Sequence, residues 1–264
     1  MKRIRLTIAY DGTAYCGWQM QDGAATVEGA VKEALEQLLG EPVEVAGASR
    51  TDAGVHAMGN VAVFDTETKI PPEKIALAVN RYLPEDIRVQ KSEEVAPDFH
   101  PRYCDSTKTY EYTITNTPIP IPTLRRYSHH VYGVLKVDAM QEAAGIFTGT
   151  HDFSAFCAAG SQVKSKVRTI YDVRVEEIPL PLEMQGSQIR IRVSGSGFLY
   201  NMVRILVGTL LEVGRGRRTA ASVEEALQSG ERSQAGPTAP ACGLMLVGIE
   251  YGENDGTDKE QGKV

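Results

Sequence analysis

The 264-residue sequence has no long hydrophobic run, no surplus of positive charge and no closely spaced cysteines. Its most apolar stretch, residues 203–211, is far shorter than the ~20 residues that a membrane-spanning helix needs, and the start of the chain has no signal-peptide core. The four cysteines lie far apart without a C-x-x-C pair, so we expect reduced, mostly core thiols at Cys16, Cys104, Cys157 and Cys242. We therefore expect a soluble, cytoplasmic protein that does not bind a membrane.

The common nucleotide- and metal-binding motifs are also missing. The sequence contains no G-x-x-x-x-G-K-[ST] loop, no G-x-G-x-x-G fingerprint, no H-E-x-x-H motif and no zinc-deaminase pattern. The neighbouring His129 and His130 would point to opposite faces of a strand, which argues against shared metal ligation. We expect no metal, no nucleotide cofactor and no other cofactor.

The net charge of −6 is unevenly distributed. Because phosphate binding usually shows as a basic surplus, the overall charge argues against a nucleic-acid partner. Residues 1–100 carry a net charge of −6, residues 101–218 carry +5 and residues 219–264 carry −5. The basic middle block therefore permits a local positive groove on an acidic molecule.

Hydrophobic periodicity predicts an α+β fold that begins with a β-α-β-β-α-β unit. Thr26 is a candidate N-cap for a helix that Gly40 ends, and Pro72 can open a second helix. Alternating or apolar runs predict strands at residues 3–10, 43–48, 60–65 and 87–95. This order of elements is the split βαβ pattern of a ferredoxin-like unit.

The second half of the chain repeats the α+β plan. Strands are predicted at residues 106–115, 127–132, 166–178, 188–194 and 244–251. Helices are predicted at residues 138–147 and 198–213, and a third by a capping box that starts at Ser222 and a stop at Gly230. We expect two ferredoxin-like halves with antiparallel or mixed sheets and helices packed on one face, as domains 1–104 and 105–252. The Gly- and charge-rich residues 253–264 predict a disordered tail.

One segment concentrates small and ionisable residues: Gly47-Ala-Ser-Arg-Thr-Asp-Ala-Gly-Val-His-Ala57. Its small residues allow another chain to approach the backbone closely. Arg50 and Asp52 lie two positions apart, so in an extended segment they face the same way. A local ion pair in a polar loop explains Arg-x-Asp as well, but the density of ionisable and small residues favours a functional role.

Two further patterns could carry chemistry. Lys108, Tyr110 and Tyr112 share one face of a predicted strand, which suits base stacking with phosphate contact. Tyrosines that pack a sheet against a helix explain the same pattern equally well. Arg204 stands among apolar residues in a predicted helix, and a desolvated arginine needs a carboxylate partner, for which Asp52 is a candidate.

The run Ser49-Arg-Thr-Asp-Ala-Gly-Val-His-Ala57 closely resembles the tRNA pseudouridine synthase A family. The agreement extends over about residues 3–251 and includes Phe99-His-Pro-Arg-Tyr, Lys108-Thr-Tyr-Glu-Tyr, His151-Asp-Phe-Ser-Ala-Phe, Asn201-Met-Val-Arg-Ile-Leu-Val-Gly208 and Ala241-Cys-Gly-Leu. Two positions differ, because family members commonly have Gly in place of Ser49 and Gln in place of Asn60. Neither difference changes the carboxylate.

The resemblance implies conversion of uridine to pseudouridine in the tRNA anticodon stem-loop, at positions 38, 39 and 40, by a homodimer that needs no cofactor. It implies that Asp52 is the catalytic nucleophile or base and that Tyr110 stacks on the target base. Arg50 resembles the arginine that helps to flip the nucleotide, and Arg204 the arginine that pairs with the catalytic carboxylate.

Two other functions compete with this one. A non-catalytic tRNA-binding protein could have the same fold, although the complete set of site residues argues against it. A small-molecule enzyme is favoured by the acidic net charge alone. The isomerase hypothesis predicts instead a basic groove, which we expect to be lined by Arg50, Arg102, Lys108, Lys164, Lys166, Arg168 and Arg204.

Overall fold

The computed structural model describes residues 1–161, 163–181 and 184–252. Contacts between residues divide the described chain into two units, residues 1–106 with 246–252 and residues 107–245. Most of the strand at residues 244–251 thus belongs to the first unit, although it was predicted to lie in the second domain, residues 105–252. The tail predicted at residues 253–264 lies outside the described residues.

The first unit contains six successive elements and most of a last strand. They are β1 (Lys2–Tyr10), α1 (Val27–Leu39), β2 (Ala46–Gly47), β3 (His56–Thr66), α2 (Ile75–Val79), β4 (Ile87–Val95) and β10 (Leu244–Tyr251). Strand β1 lies between β4 and β3 and is antiparallel to both, and β2 pairs with β3. The order β4-β1-β3-β2 agrees with the predicted split βαβ unit.

Local sequence explains these elements. Side chains of β1 alternate between buried and half-buried positions, as predicted, and bury Ile4, Leu6, Ile8 and Tyr10. Thr26 caps α1 by accepting a hydrogen bond from Gly29 N, and Gly40 ends it at φ +72°, a left-handed conformation that glycine adopts readily. The sheet and α1 together form an apolar core that supports the connection between β2 and β3.

The second unit has the remaining strands and helices. They are β5 (Ser106–Asn116), β6 (His129–Val131), α3 (Val137–Gly145), β7 (Gly149–Asp152), β8 (Val167–Pro179), β9 (Ser187–Gly195), α4 (Met202–Gly214) and α5 (Ala220–Ser229). The order β5-β9-β8-β7 is antiparallel throughout, and β6 adds a parallel pair to β5. Helices and mostly antiparallel strands in both units confirm the predicted α+β class.

Several predicted boundaries were wrong. The capping box of α5 is formed by Thr219 and Ser222, so Ser222 is the third helical residue and not the N-cap. Strand β2 is restricted to Ala46–Gly47, and β7 at Gly149–Asp152 was not predicted. For the two strands, partners distant in sequence decide which residues continue the ladder.

The cysteines are free, as expected, but the prediction that most of them lie in the core is wrong: only Cys157 is buried, whereas Cys104 and Cys242 are half-buried and Cys16 is exposed. Of the helices within the described ranges, none is long and apolar enough to cross a bilayer.

Candidate active-site elements

The loop between β2 and β3, residues 48–55, carries Arg50 and Asp52. A hydrogen bond from Val55 N to Asp52 O (3.1 Å) closes a tight turn immediately after Asp52. The turn passes through Gly54 at φ +76°, a left-handed conformation that favours glycine. The loop therefore reverses direction at Asp52 and leads directly into β3.

A second segment, residues 12–18, lies directly against this loop. Trp18 N donates a hydrogen bond to Thr51 O (3.0 Å). Gly17 has φ +95°, and a Cβ at this position would lie 2.6 Å from Thr51 O. A Cβ at Gly47 would lie 2.2 Å from Nε1 of Trp18, whose indole is 1% exposed. Gly17 and Gly47 thus permit close packing between two segments of the same chain, while the approach of another chain stays a prediction.

A buried hydrogen-bond network, the Asn60 network, is formed by Tyr10, Ser49, Thr51 and Asn60. The Asn60 amide accepts from Ser49 N (3.3 Å) and donates to Ser49 O (3.0 Å) and to the Tyr10 hydroxyl (3.3 Å). The Tyr10 hydroxyl in turn lies 2.7 Å from Thr51 Oγ1. All four residues are buried, and Asn60 is completely so. The network therefore fixes the residues on both sides of Arg50.

The charged residues of the loop differ in exposure. Arg50 is exposed, whereas Asp52 is half-buried. Nη2 of the half-buried Arg102 donates to Gly47 O (2.9 Å), where β2 leads into the loop. Burial lowers the pKa of Arg102, and the charge of Arg50 lowers it further. Two arginines therefore lie near each other beside the Asp52 loop.

In the second unit, β5 carries the predicted tyrosine face. Tyr110 and Tyr112 are both buried, and the Tyr110 ring meets Phe198 edge-on with centroids 5.2 Å apart. Tyr112 donates from its hydroxyl to Pro240 O (2.8 Å), and burial raises the pKa of its phenol. Tyr112 thus has the structural role that the alternative interpretation assigned to the pair. Lys108, on the same face, is half-buried.

Arg204 lies in the first turn of α4 and is half-buried. Its Nε donates to Ala239 O (2.7 Å) and its Nη1 donates to Asn201 Oδ1 (2.8 Å). Ala239 N returns a hydrogen bond to Arg204 O (3.0 Å). Asn201 itself has φ +58° at the N-cap of α4. The guanidinium is therefore oriented by the residue that begins the helix and by the segment packed alongside it.

The other cations of the predicted basic groove differ in burial. Lys164 is exposed, while Lys166 and Arg168 are half-buried, and burial lowers the pKa of Arg168. Arg168 Nη1 donates to Ser165 O (3.1 Å). Each unit carries some of these cations, and their convergence on one groove stays a prediction. Among the described residues, no group of three or more His, Cys, Asp or Glu is arranged to hold a metal ion.

Sequence reasoning missed the supports of the site, which are the Asn60 network and the close packing along α4. Asn60 stands at the start of an otherwise apolar run in β3, and a buried amide requires hydrogen-bond partners. That signal could have indicated its role. The contact of Gly208 with Pro237 O could not have been predicted, because the two residues are distant in sequence.

Comparisons with known proteins match this chain over most of its length. A family model described as tRNA pseudouridine synthase matches residues 6–104 and 143–252. The chain is 50% identical to tRNA pseudouridine synthase A of Ruminiclostridium cellulolyticum, 47% identical to that of Acetivibrio thermocellus and 45% identical to that of Brevibacillus brevis. Each alignment spans 95% of this chain and 100% of the relative.

Proposed function

Since the chain belongs to the tRNA pseudouridine synthase family, whose members are isomerases, we propose that it converts uridine to pseudouridine in tRNA. The proposed targets are uridines 38, 39 and 40 of the anticodon stem-loop, and the proposed catalytic carboxylate is Asp52. The observation that carries the proposal is the half-buried Asp52 on a loop fixed by the Asn60 network. A rigidly held carboxylate is what a positioned nucleophile or base requires.

The reaction moves one glycosidic bond without net redox change or hydrolysis. The bond between C1′ and N1 breaks, the uracil turns, and a bond between C1′ and C5 forms. The proton at C5 is lost and N1 gains one, so atoms and electrons balance. Asp52 acts as the nucleophile or base, and the proposed mechanism needs no cofactor.

Tyr110 and Arg50 have complementary roles in the proposal. A base inside a helical stem must leave the stack before its glycosidic bond can be reached, which costs a few kcal/mol. Exposed on its loop, Arg50 helps to flip the nucleotide and fills the place it leaves. Tyr110, whose ring is held edge-on by Phe198, provides the aromatic surface on which the flipped uracil stacks.

Arg204 is proposed to pair with the Asp52 carboxylate and keep it ionised, because a neighbouring cation lowers the pKa of a carboxyl group. Its hydrogen bonds to Ala239 O and Asn201 Oδ1 support this role, since they orient the guanidinium before substrate binds. Arginine suits such a partner because its charge persists when it is partly buried.

The test uses tRNA that carries 5-tritiated uridine. The wild-type protein should release tritium to water, and Asp52→Asn should abolish release while tRNA binding persists. Asp22→Asn, which changes an exposed aspartate of the same unit, is the matched control and should react like wild type. Turnover by Asp52→Ala would disprove the assignment, and mass mapping of the product would test positions 38, 39 and 40. If wild type binds tRNA without forming pseudouridine, the protein is a non-catalytic tRNA-binding protein.

A homodimer is part of the proposal. Supporting it, the second unit exposes Ile119, Tyr132 and Val134, with 76%, 75% and 86% of each side chain accessible. Exposed apolar residues of this kind become buried when they lie in an association surface. Light scattering should give twice the 28.8 kDa mass of one chain, and the mass of a single chain would exclude this element of the proposal.

A further inference from the structure

Tyr103 is exposed, unlike the buried aromatic rings that pack around the Asp52 loop. It is 77% exposed, whereas Trp18 and Tyr10 are 1% and 5% exposed. The ring of His100 stacks on it, with centroids 4.2 Å apart and planes inclined by 30°. One face of the Tyr103 ring is therefore covered by His100, while the residue as a whole stays largely exposed.

The turn that carries Tyr103 is firmly attached to the first unit. Phe99 is 3% exposed and packs in a core cluster with Val63 and Val95. Tyr251 meets Phe99 edge-on at 5.1 Å and donates from its hydroxyl to Pro101 O (2.9 Å). A binding group on such a support loses little conformational freedom when a ligand binds.

Arg102 and Arg50 place positive charge near the ring, which suits an anionic partner. Arg102 precedes Tyr103, and its side chain bonds to Gly47 O at the entry to the Asp52 loop. Arg50 lies close enough for its charge to act on Arg102. Burial and the charge of Arg102 lower the pKa of His100, so this ring is neutral at pH 7 and stacks without repelling the arginines.

We propose that Tyr103, stacked on His100 and flanked by Arg102, is a platform on which an unpaired base of the substrate tRNA stacks beside the Asp52 loop. An exposed aromatic face with neighbouring cations is how proteins bind single-stranded nucleic acid, since the base stacks and the phosphate meets the cation. The inference rests on the proposed function, because it takes tRNA as the ligand. It adds a contact outside the target nucleotide.

The experiment measures binding of an unmodified tRNA transcript over a range of salt concentrations. Tyr103→Ala should weaken binding about tenfold, while Tyr103→Phe, which keeps the ring, should bind within about twofold of wild type. Because no charge is removed, the slope of log K against log salt should stay the same for Tyr103→Ala. Arg102→Met should reduce that slope by about 1, as expected for loss of one phosphate contact.

Tyr82→Ala is the matched control, since it removes a 46% exposed tyrosine from the same unit and should leave binding unchanged. Tyr103→Leu, which keeps apolar bulk without a ring, should bind as weakly as Tyr103→Ala. Wild-type binding by Tyr103→Ala, or a Tyr103→Phe protein as weak as Tyr103→Ala, would overturn the platform. Every protein in this binding experiment also carries Asp52→Asn, which stops turnover. A protein with the native Asp52 that forms no pseudouridine therefore contradicts the proposed function and leaves this inference to be judged separately.

Discussion

The two units hold their proposed site residues by different means. In the first unit, Asp52 lies on an irregular loop that neutral hydrogen bonds attach to β1 and β3. In the second unit, Arg204 lies on α4, a helix in which eleven of thirteen residues are buried. The loop depends on a few directional bonds, whereas the helix depends on close packing along its length.

The packing of α4 against residues 235–239 illustrates the second case. A Cβ at Gly208 would lie 1.7 Å from Pro237 O, and Thr209 Oγ1 accepts a hydrogen bond from Gly236 N (2.8 Å). The same segment ends at Ala239, whose carbonyl orients Arg204. Changes in packing far along the helix should therefore reach the guanidinium, while changes near Asp52 should act through single hydrogen bonds.

The largest effect is expected for Gly208→Ala, which disrupts the packing of α4 against residues 235–239. The added methyl group has no room against Pro237 O, so the segment must move away from α4. We expect the free energy of unfolding to fall by about 3 kcal/mol and turnover to fall with it, because Ala239 no longer orients Arg204. Urea unfolding and tritium release measure the two effects.

Gly145→Ala is the control for this substitution. Gly145 is the last residue of α3, and no atom lies within 4 Å of the position a Cβ would take. Since alanine favours helix over glycine by roughly 1 kcal/mol, stability should stay equal or rise slightly. Equal losses in the two variants would show that close packing at Gly208 is not the cause.

A smaller effect on stability, but a specific one on turnover, is expected for Tyr10→Phe. The change removes only the hydroxyl that joins Thr51 to Asn60. Loss of a buried hydrogen bond costs about 1 kcal/mol, and a less restrained Asp52 should slow single-turnover reaction by roughly tenfold at saturating tRNA. Binding of tRNA should not change, because the hydroxyl is buried.

Tyr15→Phe separates stability from positioning. It removes a hydroxyl that donates to Asp86 Oδ1 (2.7 Å) and not to a side chain of the loop. Its stability should fall by a similar amount, while its turnover matches wild type. In addition, Thr51→Val combined with Tyr10→Phe should be no slower than Tyr10→Phe alone, since Tyr10→Phe already breaks the contact with Thr51. Additive losses would argue against action through Thr51.

Most of the regular structure could be predicted because its causes are local. The β1 alternation, the Thr26 cap and the glycine at position 40 each act within a few residues, and strands β4 and β10 begin and end as expected. Errors occurred where distant partners decide, as at the short β2 and the unpredicted β7.

The candidate site follows the same rule. The loop of Arg50 and Asp52 is recognisable because its unusual residues are contiguous. Its supports, Tyr10 and Asn60, are fifty positions apart and look like ordinary strand residues. For Tyr110, the alternation of the sequence predicts the face of the strand on which it lies. It does not predict that Tyr110 is only 7% exposed or that its ring packs edge-on against Phe198.

The smallest effect is expected where charges, rather than neutral groups, join β1 to β3. Arg3 forms two hydrogen bonds to Asp65 directly across the strands (2.8 and 2.7 Å). These bonds hold the pKa of Asp65 below its usual 3.8, so their stabilisation is present above that pH and is lost as the pH falls further. With side chains 25% and 34% exposed, Asp65→Asn should cost less than about 1 kcal/mol at pH 7.

The deficit of Asp65→Asn relative to wild type should therefore shrink between pH 5 and pH 3, as measured by urea unfolding. Glu44→Gln, which breaks the pair of Lys32 with a 95% exposed carboxylate, should show no deficit at either pH. A deficit of Asp65→Asn that is as large at pH 3 as at pH 5 would mean that packing, not charge, is lost. If Asp65→Asn lowers the free energy of unfolding more than Tyr10→Phe does, then ion pairs on the strands contribute more to the stability of the first unit than the buried neutral network does.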